Sequence, residues 1–295
     1  MMTAIALPGS GPKPARRIWP DGRLLPLLPS MTVLLLFFAL PMGLMIGLSF
    51  QQQAGWTPTL THYGRFFTND LMLAGFARTM LMSGLVAICV TVMAYPVAYF
   101  LARSTSRWRS FVFALAIAPE LAGVVLRTYG WLVILDDRGF INSALLWAGL
   151  VTDPLPLSKN MFGVVVGLTH VVLPFGILSL LTSLQGIDAN LERSAQILGA
   201  SRLAIIRHIL VPLSMPGIVS SLLISFTMAA SAYATPVLLG GAGFKVMATM
   251  VYEQVLFYMD WPFAAVMANV LLISMLTASF IGSRIENRAH RKLHV

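Results

Sequence analysis

The sequence predicts an all-α integral membrane fold with six transmembrane helices, and three observations carry that reading. Of 295 residues, 57% are hydrophobic and only 11% charged, where soluble domains carry about 25% charged residues. The mean hydropathy is +0.80. The apolar residues are also grouped. Runs such as 24–50 and 162–184 hold no Asp, Glu, Lys or Arg, and ~20 such residues cross the ~30 Å hydrocarbon core. The single cysteine, Cys89, lies within an apolar run, which excludes a disulfide framework and a cysteine metal site.

Taken in chain order, residues 1–23 hold four prolines and four basic residues and read as a disordered cytoplasmic lead-in. The apolar run that follows is too long for a signal-peptide core, so it stays attached as the first span of a domain over 24–285. The spans fall at about 25–49, 79–101, 110–134, 162–184, 211–238 and 263–283. Pro41, Pro96, Pro119, Pro174, Pro216 and Pro236 interrupt them. Lipid tolerates such breaks where neighbouring helices or a wet cavity satisfy the freed backbone groups. Residues 135–160 are too long for a turn and suit a short interfacial helix near Asn142–Leu150. Residues 286–295 form a basic tail carrying His290 and His294, which reads as a solvated charged face.

Charge fixes an orientation. With both termini inside, the cytoplasmic segments hold 14 basic residues against four acids, and the outer half six against seven. The net charge of +9 thus divides into +10 inside and −1 outside, as the positive-inside rule requires of an even number of spans. In a soluble chain the excess would suggest nucleic acid; here it is a topology signal.

The segment 188–212 joins two spans yet is itself helical in pattern. Asp188 suits an N-cap, and Leu191, Ala195 and Leu198 recur at helical spacing before Gly199 breaks the run. A second stripe follows in Leu203, Ile206 and Ile209/Leu210, with Arg202 and Arg207 on other faces. Glu192-Arg193-Ser194-Ala195, then Gly199, then Ile209-Leu210-Val211-Pro212 resembles the "EAA" loop of ABC importer permeases, although Arg193 or Ser194 replaces the first alanine. Val125–Trp131 with Gly139-x-Ile141-Asn142, and Thr235-Pro236-x-Leu238-Leu239-Gly240-Gly241 with Tyr252-Glu253-Gln254 and Asp260–Phe263, resemble the spermidine/putrescine-type permeases.

The resemblance implies the type I importer permease fold with a cytoplasmic coupling helix. It also implies the partners: a second permease subunit, expected as a paralogue, an ABC ATPase dimer that binds ATP and magnesium, and a periplasmic substrate-binding protein. No cofactor is expected in this chain, which lacks a GxxxxGK[ST] phosphate loop. Glu192, Ala195, Gly199, Arg202 and Pro212 are the expected ATPase-coupling residues. Gly199 would allow close backbone approach, and Glu192 would meet a basic group on the ATPase or cap its own loop.

Charges inside spans are costly and mark function by default. Glu120 and Arg127 fall on one face of the third span but ~10 Å apart on a continuous helix, so each is expected to find another partner. With Tyr129, Ser231, Tyr233 and Thr235 they form the candidate translocation path, structural packing being the competing explanation for each. His170 reads as a packing residue. The cargo stays open between a polyamine and an opine, an amino-acid derivative, a phosphonate or a ferric complex. A secondary transporter is the other class, and no Ser/His/Asp or HExxH arrangement argues for an enzyme.

Overall fold

The computed structural model describes residues 28–52 and 55–293, so the lead-in 1–23 and His294 lie outside the described residues. The first helix, α1 (Pro29–Ser49), is long and apolar enough to cross a membrane and contains a π turn at Leu35–Ala39. A two-stranded antiparallel hairpin follows, β1 (Gln51–Gln52) and β2 (Gly55–Pro58). A short helix, α2 (Thr61–Thr68), leads to α3 (Asp70–Arg103).

The 34 residues of α3 rise ~51 Å at 1.5 Å each. That exceeds the ~30 Å core, and the helix outlasts the expected 79–101 span. Asn69 sets its start, its side chain accepting from the Leu71 and Met72 amides. Helix α3 packs with α7 (Met161–Gln185) and α10 (Met215–Ala230). Small residues let the three backbones close up. A Cβ on Gly176 would sit 2.5 Å from Val90 Cγ1 and 3.2 Å from Ser221 Oγ. Hydroxyl pairs cross the same seams, Thr91 to Ser221 and Tyr95 to Ser214, each at 3.1 Å.

The third span is not one helix. It runs as α4 (Trp108–Ile117), a 3₁₀ turn (Ala118–Leu121) and α5 (Val124–Leu135), and the Trp108–Leu121 arm meets the Val124–Trp147 arm at 100°. Pro119 brings no amide to the turn, and Ala122 and Gly123 have left the helical region, with ψ of 134° and 147°. The interfacial helix is α6 (Phe140–Trp147). Buried Asn142 holds it to the following loop, donating to the Asp136 and Leu155 carbonyls and accepting from the Leu155 amide.

The fifth span is broken twice. Helix α9 (Arg202–Leu213), which follows α8 (Ala189–Ile197), meets α10 at 70°. Beyond α10, Ser231–Tyr233 separate it from α11 (Ala234–Leu239). The chain then forms α12 (Met247–Leu256) and α13 (Trp261–Leu293). Helix α13 runs on through most of the expected basic tail, because nothing between Ile285 and Leu293 breaks it.

Three buried clusters organise the bundle. Val90, Val172 and Leu239 belong to one that joins α3, α7 and α11. Phe66, Phe263 and Met267 belong to a second, with α2 against α13. The third seats α9 on α3 and α7 through Leu101, Leu184, Ile205 and Leu210.

Candidate functional site: the loop between α7 and α10

The α8–α9 segment is built as a helix, a sharp turn and a second helix. Asp188 caps α8 by accepting from the Asn190 amide at 2.9 Å, and Ser201 caps α9 by accepting from the Ala204 amide. Between them Gly199 stands at φ +85°, a conformation costing other residues ~1–2 kcal/mol. A Cβ there would meet nothing within 4 Å. The glycine is therefore required by backbone conformation, with no close approach inside the chain.

The two faces of the segment differ. Ala195, Ala200, Ile206 and Ile209 pack on the Leu101–Leu184 cluster with buried Ile205 and Leu210. Pro212 is half-buried and Arg202 exposed. The turn, by contrast, carries apolar side chains into the open: Ile197 is 86% exposed, Leu198 88% and Leu203 74%. Of the two helically spaced stripes, Leu198 and Leu203 thus face out, while Ala195, Ile206, Ile209 and Leu210 pack inward. The glycine reverses the chain, and these leucines surround the tip while α9 turns its isoleucines inward.

Glu192 is corrected. Its carboxylate is buried, accepting from Arg103 Nε at 2.6 Å and from the Tyr99 hydroxyl at 3.0 Å. Arg103 donates a further bond to the Ile187 carbonyl at 3.0 Å. Both donors lie at the end of α3, so Glu192 ties the segment to the bundle and neither caps its own loop nor offers a free charge. Sequence reasoning counted Arg103 as one more cytoplasmic charge. Its spacing from Tyr99, one helical turn away, is the signal that pairs them on one face.

The path candidates do not assemble into one site. Glu120 and Arg127, expected out of mutual reach, form an ion pair at 2.8 Å with a second contact at 3.4 Å. The break at Ala118–Gly123 folds one arm toward the other, which a continuous helix could not do. The Arg127 side chain is 8% exposed and its Nε has no partner. His170 lies edge-on to Trp131, ring centroids 5.8 Å apart, with Nδ1 likewise unpartnered. Thr235 is buried and bonded to Thr128 at 3.0 Å, pinning α11 to α5. Tyr129 is exposed, Ser231 bonds back to the Thr227 and Met228 carbonyls, and Tyr233 stacks on Tyr252 at 4.7 Å. A groove between α7 and α10 is lined by Ser179, Thr182, Ser183 and Ser220 beside Phe175, and its α7 hydroxyls were not among the path candidates. These three recur within about one turn on a helix whose sequence reads as an apolar run.

Comparison with known proteins places this arrangement. Residues 94–291 match the family model for the binding-protein-dependent transport system inner membrane component. The chain is 31% identical over 247 residues to the Escherichia coli K12 spermidine/putrescine transport system permease protein PotB, covering 82% of this chain and 90% of that one. It is 26% identical over 267 residues to the Haemophilus influenzae PotB, with 89% and 93% covered. Among solved structures, a bacterial ABC transporter for alginate, an acidic polysaccharide, superposes with a TM-score of 0.73 at 23% identity, over 90% of this chain and 96% of that one. The methionine transporter MetNI in an inward-facing form superposes at 0.57 with 17% identity, over 74% and 96%. The apolar spans, the glycine-centred loop between α7 and α10, and a family match covering two thirds of the sequence agree: the chain belongs to the binding-protein-dependent inner membrane components, the multi-pass permease subunits of ABC importers.

Proposed function

We propose that this permease imports a polyamine, spermidine or putrescine, delivered by a periplasmic binding protein, and that its 188–212 segment is the coupling element. As a permease subunit it is a transport component with no catalytic role, and the family assignment excludes a free-standing secondary transporter. The observation that carries the cargo is the 31% identity to the polyamine permease over most of both chains.

The observation that carries the coupling role is the exposed apolar tip. Ile197, Leu198 and Leu203 around Gly199 form a knob that an aqueous surface would leave unsatisfied and that a hydrophobic cleft on the ATPase would cover. Glu192, Ala195 and Pro212 hold the knob against the bundle; Gly199 shapes it and Arg202 flanks it. Nucleotide and magnesium belong to that ATPase, and this chain binds neither. A second, paralogous permease completes the pathway, with both termini of this chain cytoplasmic. Tyr129, Ser231 and Tyr233 have accessible surface toward such a pathway; Glu120, Arg127 and Thr235 shape it from within the packing.

Uptake of labelled spermidine and putrescine by the assembled transporter tests the reading. Leu198→Asp with Leu203→Asp alters exposed positions and leaves folding within about 0.5 kcal/mol, yet should release the ATPase and abolish uptake. Gly199→Arg should do the same with membrane insertion intact. Normal uptake in either variant overturns the coupling role. Failure of the cognate binding protein to bind either amine overturns the cargo.

A further inference from the structure

The longest helix of the bundle is gripped at both ends by polar contacts to two loops that are remote from each other. At one end of α3, Arg103 and Tyr99 hold the Glu192 carboxylate, and Arg103 also holds the Ile187 carbonyl. At the other, Arg78 Nη1 donates to the Lys245 carbonyl at 2.9 Å and the Gly243 carbonyl at 3.4 Å, with its guanidinium 5.5 Å from the Phe244 ring. Thr79 Oγ1 beside it accepts from the Met247 amide at 2.9 Å. Residues 78 and 103 are separated by ~37 Å of helix at 1.5 Å per residue. The α11–α12 loop follows directly on the broken end of the fifth span.

These contacts are not ordinary core packing. The Arg103–Glu192 pair is mostly buried, with 17% and 9% of the side chains exposed, and removing one partner of such a pair strands the other. Arg78 spends its donors on backbone carbonyls, which fixes a loop by its main chain whatever its side chains. Between the two grips, α3 is continuous through Pro96 and seated in α7 and α10. A helix held in this way shifts as a unit more readily than it bends.

We propose that α3 is the transmitting element of the permease: Arg103 and Tyr99 take up displacement of the coupling segment through Glu192, and Arg78 and Thr79 deliver it to the Gly243–Met247 loop. Arg103, Tyr99, Arg78 and Thr79 are positioning residues for transport and touch no cargo. The proposal rests on the coupling role given to 188–212, and the test separates the two.

The full transporter, with its ATPase and second permease, is reconstituted in lipid nanodiscs. A fluorophore is placed at Ala242→Cys in a Cys89→Ser background; Ala242 is exposed beside the loop held by Arg78. The readout is the signal change on adding ATP and vanadate. Arg103→Ala and Arg78→Ala should each reduce that change about fivefold or more, the low end of ordinary coupling factors, with the ATPase still co-purifying. The swap Arg103→Glu with Glu192→Arg should restore at least half of it.

A full signal change in Arg103→Ala with the ATPase bound overturns the proposal, as does an unaltered change in Arg78→Ala. Should Arg103→Ala fail to assemble, Tyr99→Phe removes one bond to the same carboxylate at constant charge, and an undiminished signal there overturns it equally. A parent protein that does not retain the ATPase refutes the coupling role instead.

Discussion

Arg127 sets the terms at the scale of single residues. Its guanidinium is nine-tenths buried in an apolar span, and the carboxylate of Glu120 is what neutralises it. Removing one member of a buried pair costs ~3–5 kcal/mol, whereas replacing both by apolar groups is often neutral; the 29% exposure of Glu120 places the cost at the low end. Glu120→Ala should therefore lower the thermal stability of the detergent-solubilised protein by about 3 kcal/mol, and Glu120→Leu with Arg127→Met should recover most of the loss. A double variant as unstable as the single would show that each charge has an independent role. The pair was legible as two residues on one face, but its contact was not. Spacing arithmetic presupposes a continuous helix, and the 100° break removes that premise. The inward turn of Glu192 escaped for a related reason: its partner lies 89 positions away in sequence, where no periodicity reaches.

Among the helices, four of the expected spans stand as single long apolar helices and two as bent pairs among the described residues, and apolar length marks them because a membrane sets that length. Breaks were less legible. Proline marks all of them equally, yet Pro119 and Pro216 sit at sharp turns while Pro96 and Pro174 remain inside α3 and α7. The difference is tertiary. Helices α3 and α7 pack against each other and α10, which keeps each helix continuous through its proline. Gly176 is a tight point of that packing, and Val90, whose Cγ1 a new Cβ would approach to 2.5 Å, is branched and buried. Gly176→Ala should destabilise the bundle by about 1–3 kcal/mol through overpacking, and Gly176→Ala with Val90→Ala should regain part of it. Denaturation of the purified subunit followed by tryptophan fluorescence reads both. An unchanged midpoint in Gly176→Ala would mean that the three helices have room to part.

For the whole molecule, the decisive quantity is which end of the bundle faces the ATP. With both termini placed inside, the charges of the sequence divide into +10 inside and −1 outside. In the structure Arg103, Arg193, Arg202 and Arg207 lie at the end of α3 that holds the 188–212 segment, while Arg78, Lys245 and Glu253 lie toward the other. Helix α3 is ~51 Å long against ~30 Å of lipid interior, and Ala242 and Arg193, in loops at its two ends, are exposed. In a Cys89→Ser background, Ala242→Cys should react with a membrane-impermeant maleimide in intact spheroplasts, and Arg193→Cys only after lysis. Replacing the exposed Arg193 removes one of 14 inside charges, too few to invert a topology set by their sum. The reverse labelling would put the Ile197–Leu203 knob on a face without ATP, and neither the coupling role nor transmission through α3 would survive it.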